Sequence, residues 1–130
     1  MVAAIAFVVL TALLLVFQLA LALGAPWGRL AWGGQHAGVL PTGYRIGSLV
    51  TIVVYAFLAS VVLDRGGVTA LYPEGFAIVA CWVVFGVLAL GTLMNAVSRS
   101  KPERTVMTPV ALVLAVLALL IAIFGSSALS

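Results

Sequence analysis

Charged residues are scarce in this sequence: only nine of its 130 residues, or 7%, are Asp, Glu, Lys or Arg. Soluble domains typically carry about 25% charged residues. Hydrophobic residues make up 65% of the chain, which is more apolar surface than so short a soluble domain can bury. A water-soluble globule is therefore excluded, and lipid is the natural surrounding of the chain.

Cysteine and histidine occur once each, as Cys81 and His36. An intrachain disulfide needs two cysteines, and a protein metal site usually combines several Cys, His or carboxylate ligands. We therefore expect no disulfide, no metal site and no other cofactor. The net charge of +3 is too small and too dispersed for a nucleic-acid-binding face, so no nucleic-acid partner is expected.

Four long apolar runs contain none of the nine charges. About 20 helical residues cross the hydrocarbon core of a membrane, and backbone groups in lipid must pair within their own segment. The sequence predicts an all-α fold, a transmembrane four-helix bundle that forms one integral membrane domain over residues 1–130. The predicted spans are 3–23, 46–63, 76–97 and 106–124.

The loops between the runs differ in charge. The first loop, 24–45, and the third, 98–105, must lie on the same side, and together they hold five of the six basic residues. The positive-inside rule predicts that both loops face the cytoplasm and that the N- and C-termini lie outside. We expect a multi-pass protein of the plasma membrane, with membrane lipids as partners. The five basic residues are Arg29, Arg45, Arg99, Lys101 and Arg104.

The first loop is long and rich in glycine and aromatic residues. Trp27, Trp32 and Tyr44 make it too apolar for a solvated linker, so we expect a structured loop that lies along the cytoplasmic face of the membrane. His36 is the natural acid–base candidate of this loop. The alternative is that His36 only makes hydrogen bonds or contacts lipid headgroups.

The third loop contains a helix-start pattern. Residues 100–103 fit a capping box, with Ser100 as N-cap and Glu103 at the third helical position. Glu103 would also pair with Arg99 if this turn is helical. Pro109 then either kinks the fourth helix or begins it afresh, with Thr108 as N-cap.

Polar residues gather at the cytoplasmic ends of all four runs, for example Gln18, Thr51 and Asn95. They either form hydrogen bonds between helices or line a shallow vestibule. We predict a candidate binding site on this face, whose basic members would hold an anionic headgroup or ligand unless they serve only to set the topology. Its residues are Arg29, Trp32, Gln35, His36, Asn95, Arg99, Glu103 and Arg104.

The fourth run carries a stripe of small residues, which let helix backbones approach closely in lipid. The stripe is either a contact within the chain or the interface of a homo-oligomer. Its members are Ala111, Ala115, Ala118, Ala122 and Gly125.

Two groups of residues carry a resemblance that covers nearly the whole chain. The first group is Trp27-Gly28, Trp32-Gly33-Gly34-Gln35-His36-Ala37-Gly38 and Leu40-Pro41, and the second is Asn95, Ser98, Ser100, Glu103-Arg104 and Pro109. In these elements the chain resembles small four-span bacterial membrane proteins of no assigned activity. The resemblance implies the four-span layout and lends no catalytic residue.

These features favour a binding, scaffold or regulatory component with a polar site that faces the cytoplasm. One alternative is a small oligomeric transporter or channel, although charges within spans, which mark ion paths, are missing here. Another is an enzyme acting on a lipid-like substrate with His36 as acid or base, but the chain shows no nucleophile or metal motif. A continuous polar path would favour transport. A closed outer half with a pocket containing His36, Asn95 and Arg99 would favour binding or catalysis.

Overall fold

The computed structural model describes residues 1–129 as an all-helical chain with four long helices. They are α1 (Val2–Ala22), α2 (Thr42–Arg65), α3 (Glu74–Ala96) and α4 (Thr108–Phe124), and α4 follows a π-helical turn at Glu103–Met107. Within these 129 residues there is no strand. All four helices, with the π turn counted into the last, are long and apolar enough to cross a membrane. The predicted all-α class with four such helices is confirmed.

The helices pack in chain order as a closed ring. Helix α1 packs against α2, α2 against α3, α3 against α4, and α4 returns to contact α1. The amino group of Met1 donates a hydrogen bond to the carbonyl of Ser126, so both ends of the described chain lie together. We call this the terminal end. The opposite end, which carries the loops between α1 and α2 and between α3 and α4, is the basic end.

The interior of the bundle is mostly apolar, with the side chain of Thr11 as a buried polar group. Phe7, Val61, Cys81 and Ile121 from the four helices are each 0% exposed. Large apolar side chains also cover the outside of the bundle: Leu13 on α1 is 64% exposed. Such a surface would be a liability in water but is the ordinary outer surface of helices in lipid.

The small residues of α4 face the interior of their own chain. Ala115, Ala118, Ala122 and Gly125 are buried, whereas Ala111 is half-buried. The Cys81 thiol on α3 approaches the carbonyl oxygen of Ala118 to 3.8 Å, which reflects the close approach that small side chains allow. This burial favours the contact within the chain over an interface between copies.

The helix begins at Lys101, directly after the predicted N-cap Ser100, whose carbonyl accepts from the Arg104 N–H at 3.0 Å, but the predicted side-chain hydrogen bonds of the capping box do not form. Ser100 donates its hydroxyl hydrogen bond to the carbonyl of Arg29 in the first loop, a contact that local spacing does not reveal. Ser98 forms hydrogen bonds with both predicted partners. Its hydroxyl accepts from the Ser100 N–H at 3.1 Å and donates to Glu103 Oε2 at 2.8 Å. Because residues 98–100 are not helical, the helical pairing of Arg99 with Glu103 does not form either.

The helix runs without a break from Lys101 into α4. Pro109 has no N–H to offer the carbonyl of Thr105, and its ring crowds that carbonyl. The wider π-helical turn at Glu103–Met107, immediately before it, accommodates this mismatch. Thr108 has helical backbone angles, so the predicted alternative of a new start with Thr108 as N-cap is wrong.

Candidate functional site

A cavity of about 210 Å³ lies at the basic end of the bundle. All four helices and the loop between α1 and α2 contribute to its wall, and its polar lining comes from separate parts of the chain. Apolar side chains such as Leu14 and Leu114 close it on the side of the core. The polar and aromatic lining residues are Phe17, Gln18, Trp32, Thr51, Tyr55, Asn95 and Glu103.

Glu103 is the charged residue of the cavity wall and is only 6% exposed. The π-helical turn places it inside the helix packing rather than on the outer surface. One carboxylate oxygen, Oε2, accepts the hydrogen bond from Ser98 at 2.8 Å. Within residues 1–129 no hydrogen bond reaches the other oxygen, Oε1. The cavity therefore contains a buried carboxylate that is half satisfied by the protein.

Gln18 adds a second unsatisfied acceptor to the same cavity. Its Oε1 is buried and has no hydrogen-bond partner in the described chain. Burial of a polar atom without a partner typically costs about 1–3 kcal/mol. Asn95 on α3 brings a further side-chain amide to the wall. By contrast, the Thr51 hydroxyl is already engaged, since it donates to the carbonyl of Gly47 at 2.9 Å.

Aromatic rings form another part of the wall. Trp32 reaches the cavity from the first loop and donates from Nε1 to the Ser48 hydroxyl of α2 at 3.4 Å. Its ring lies so close to α2 that a Cβ on Gly47 would be 2.8 Å from Cζ2. Tyr44 packs edge-on against the same indole, with ring centroids 5.4 Å apart. Trp32 is thus held over the cavity by contacts with α2.

The first loop is structured, with 3₁₀ turns at Gly28–Leu30 and Trp32–Gly34. The N–H of Gly28 donates to the carbonyl of Gly38 at 2.9 Å and closes the loop across its base. Leu21, Ala31 and Leu40 form a small buried cluster beneath it. The loop can therefore hold lining residues in fixed positions.

The structure brings together three of the eight predicted site residues. Trp32, Asn95 and Glu103 line the cavity. His36 lies outside that lining and packs against the Tyr44 ring, with centroids 5.0 Å apart. The others have exposed side chains outside the cavity: Arg29, Gln35, Arg99 and Arg104.

The predicted list of site residues omits Gln18, Thr51 and Tyr55. Gln18 and Thr51 belong to the polar residues for which a shallow vestibule was one predicted alternative, whereas Tyr55 lies deeper on α2 than Thr51. Among the exposed residues of the predicted site, Arg104 contacts Ser98, the residue that binds the Glu103 carboxylate. Its guanidinium donates a hydrogen bond to the carbonyl of Ser98 at 2.7 Å.

A second cavity, of about 300 Å³, lies at the terminal end. Asp64 in its wall is well satisfied by protein groups, because it accepts hydrogen bonds from Thr69 and from the N–H groups of Leu71 and Tyr72. Among the described residues, no group of three or more His, Cys, Asp or Glu side chains is arranged to hold a metal ion. Arg65 in the same wall donates from one guanidinium nitrogen to the carbonyl of Ala122 at 3.2 Å, whereas its buried Nε has no hydrogen-bond partner among the described residues. The cavity at the basic end differs in that its unpartnered atoms include a carboxylate oxygen, Glu103 Oε1.

No family profile, no curated protein and no solved structure matches the chain. No relative therefore supplies a function for this chain.

Proposed function

We propose that this chain is a multi-pass protein of the plasma membrane that binds a small organic molecule in the cavity at its basic end. The observation that carries the proposal is Glu103, a 94% buried carboxylate with a free oxygen, in a cavity walled by four helices and a loop. Ligand sites are typically concave and mostly apolar, with a few polar groups that orient the ligand. The volume of this cavity, about 210 Å³, is smaller than that of typical pockets for drug-sized molecules, so we expect a smaller ligand.

Binding fits better than passage of a solute through the bundle. Between the two cavities the helices are packed around Phe7, Leu58, Val84 and Ala118, all buried apolar residues. A solute path would have to displace this core. The enzyme alternative based on His36 is also disfavoured, because His36 does not line the cavity.

The proposed orientation places the basic end in the cytoplasm and both termini outside. Its support is the charge distribution, with five of six basic residues in the loops of that end. Arg29, Arg99 and Arg104 are exposed there, so their proposed partners are anionic lipid headgroups at the membrane surface rather than a ligand inside the cavity.

A variant that fills the cavity tests the proposal. Ala111 lines the cavity, whereas its neighbour Leu112 is 51% exposed on the outer face of α4. Native mass spectrometry of the wild-type protein, purified in a mild detergent, is expected to show a retained small molecule. Ala111→Phe should abolish its retention, and Leu112→Phe should leave it unchanged. Equal retention by all three proteins, or no small molecule on the wild type, would contradict the proposal.

A further inference from the structure

We propose that the ligand of the basic-end cavity is an organic ammonium ion, with one protonated amine on a small apolar body. This inference rests on the proposed function and adds the chemical class of the ligand. The geometry points to this class because the charged group of the cavity wall is a carboxylate with one unpartnered oxygen, and much of the remaining wall is aromatic and aliphatic.

Glu103 Oε1 and Gln18 Oε1 have no hydrogen-bond partner within residues 1–129. A buried carboxylate is stable when a positive group or several donors compensate its charge, and the Ser98 hydroxyl is a single neutral donor. An ammonium group carries positive charge, three N–H donors and no acceptor. It therefore supplies what both side chains lack.

The aromatic wall is suited to the same ligand. Phe17, Trp32 and Tyr55 line the cavity together with Leu14 and Leu114. Cations are attracted to the faces of aromatic rings at distances up to about 6 Å, and tryptophan gives the strongest attraction. The aliphatic side chains offer a dry surface for the uncharged body of the molecule. A cation without an apolar part would make no contact with these aliphatic side chains.

Other ligand classes fit less well. A hard metal ion such as Ca²⁺ needs about six to eight oxygen ligands, and the described chain contains no group of three carboxylate, His or Cys side chains around a common point. An anion would face the Glu103 carboxylate. The nearby cation, Arg104, is exposed and donates to the Ser98 carbonyl, so its guanidinium is engaged outside the lining.

Three probe molecules of similar shape but different charge distinguish the effect of ligand charge on binding from the effect of ligand shape. They are the cation phenylethylammonium, the neutral 2-phenylethanol and the anion phenylacetate. Calorimetric titration of the full chain in lipid nanodiscs, in an amine-free buffer, is expected to rank them in that order. Glu103→Gln keeps an acceptor for Ser98 but removes the charge, and should weaken binding of phenylethylammonium by about tenfold or more. It should leave 2-phenylethanol unchanged. Glu74→Gln, the same change at an exposed carboxylate of the terminal end, should affect neither probe.

The outcomes distinguish this inference from the proposed function. If 2-phenylethanol binds wild type as tightly as phenylethylammonium, or phenylacetate binds best, the ammonium assignment is overturned while the cavity remains a binding site. If no probe binds, the ammonium assignment is also overturned, and the retention test at Ala111 decides separately on the proposed function. Glu103→Asp keeps the charge and should preserve the preference for the ammonium probe. A folded Glu103→Asp variant without that preference would overturn the inference even if Glu103→Gln did not fold.

Discussion

Replacing Gly28 with alanine is expected to disrupt the loop between α1 and α2 and to abolish ligand retention. A Cβ at this buried position would lie 2.0 Å from the carbonyl oxygen of His36 and 2.6 Å from that of Gly38. Both obstacles are backbone atoms, which cannot rotate away as a flexible side chain would. Overpacking costs about 1–3 kcal/mol or more, and here the cost falls on the contact that closes the loop.

The functional consequence follows from the position of the loop. Leu30 and Trp32, from its two 3₁₀ turns, and Ala31 between them lie in the wall of the cavity. When the loop opens, the wall loses these residues and Trp32 loses its place against α2. We therefore expect Gly28→Ala to combine lost ligand retention with faster proteolysis between α1 and α2.

Gly38 provides a matched control for this substitution. It belongs to the same loop and accepts the hydrogen bond from Gly28, but a Cβ there would meet no atom within 4 Å. Gly38→Ala should behave like the wild-type protein in both native mass spectrometry and limited proteolysis. Equal behaviour of Gly28→Ala and Gly38→Ala would show that the loop is not closed as described.

Truncation of Ile121 is expected to destabilise the bundle strongly, whereas truncation of Ile123 is not. Ile121 is 0% exposed in the centre of the packed helices, and Ile123 on the same helix is 49% exposed. Ile121→Ala removes close contacts and leaves a cavity, which typically costs about 2–5 kcal/mol. Ile123→Ala changes a side chain on the outer surface of the bundle, and its effect should stay within about 0.5 kcal/mol.

The same chemical change at the two positions makes the comparison direct. Unfolding of both variants can be followed by circular dichroism during titration with a denaturing detergent, starting from the same micelles. The midpoint should fall for Ile121→Ala and stay near the wild-type value for Ile123→Ala. Similar midpoints would mean that α4 does not turn the face of Ile121 toward the other helices.

The four helices were predictable because their cause is local and strong. A chain in lipid must satisfy backbone groups within each apolar segment, so length and hydrophobicity alone indicate helices. The small-residue stripe of α4 also indicated which face is buried. The structured first loop followed from Trp27, Trp32 and Tyr44, which are too apolar for a solvated linker.

The position of Glu103 was not predictable from the sequence, because it depends on contacts between distant residues. Local spacing assigned Glu103 to a capping box with Ser100, but Ser100 instead binds the Arg29 carbonyl in the first loop. The π-helical turn before Pro109 then changes which face of the helix points inward. His36 is a candidate by its chemical type alone, and the chemical type of a residue does not determine its distance from a cavity.

We propose that the polar cavity at the basic end opens toward the cytoplasm, and the rate of cysteine modification tests this proposal most directly. Gln18→Cys places a thiol in the cavity wall, and Val16→Cys, at a residue 66% exposed, places one on the outer face of α1. Each of the two substitutions is made in a Cys81→Ala background. Inside-out vesicles that contain either variant are then treated with a small ammonium-bearing thiosulfonate. Position 18 is predicted to react rapidly from this face and position 16 to remain unmodified. Equal rates at the two positions, or modification of position 18 only from the opposite face, would contradict the account.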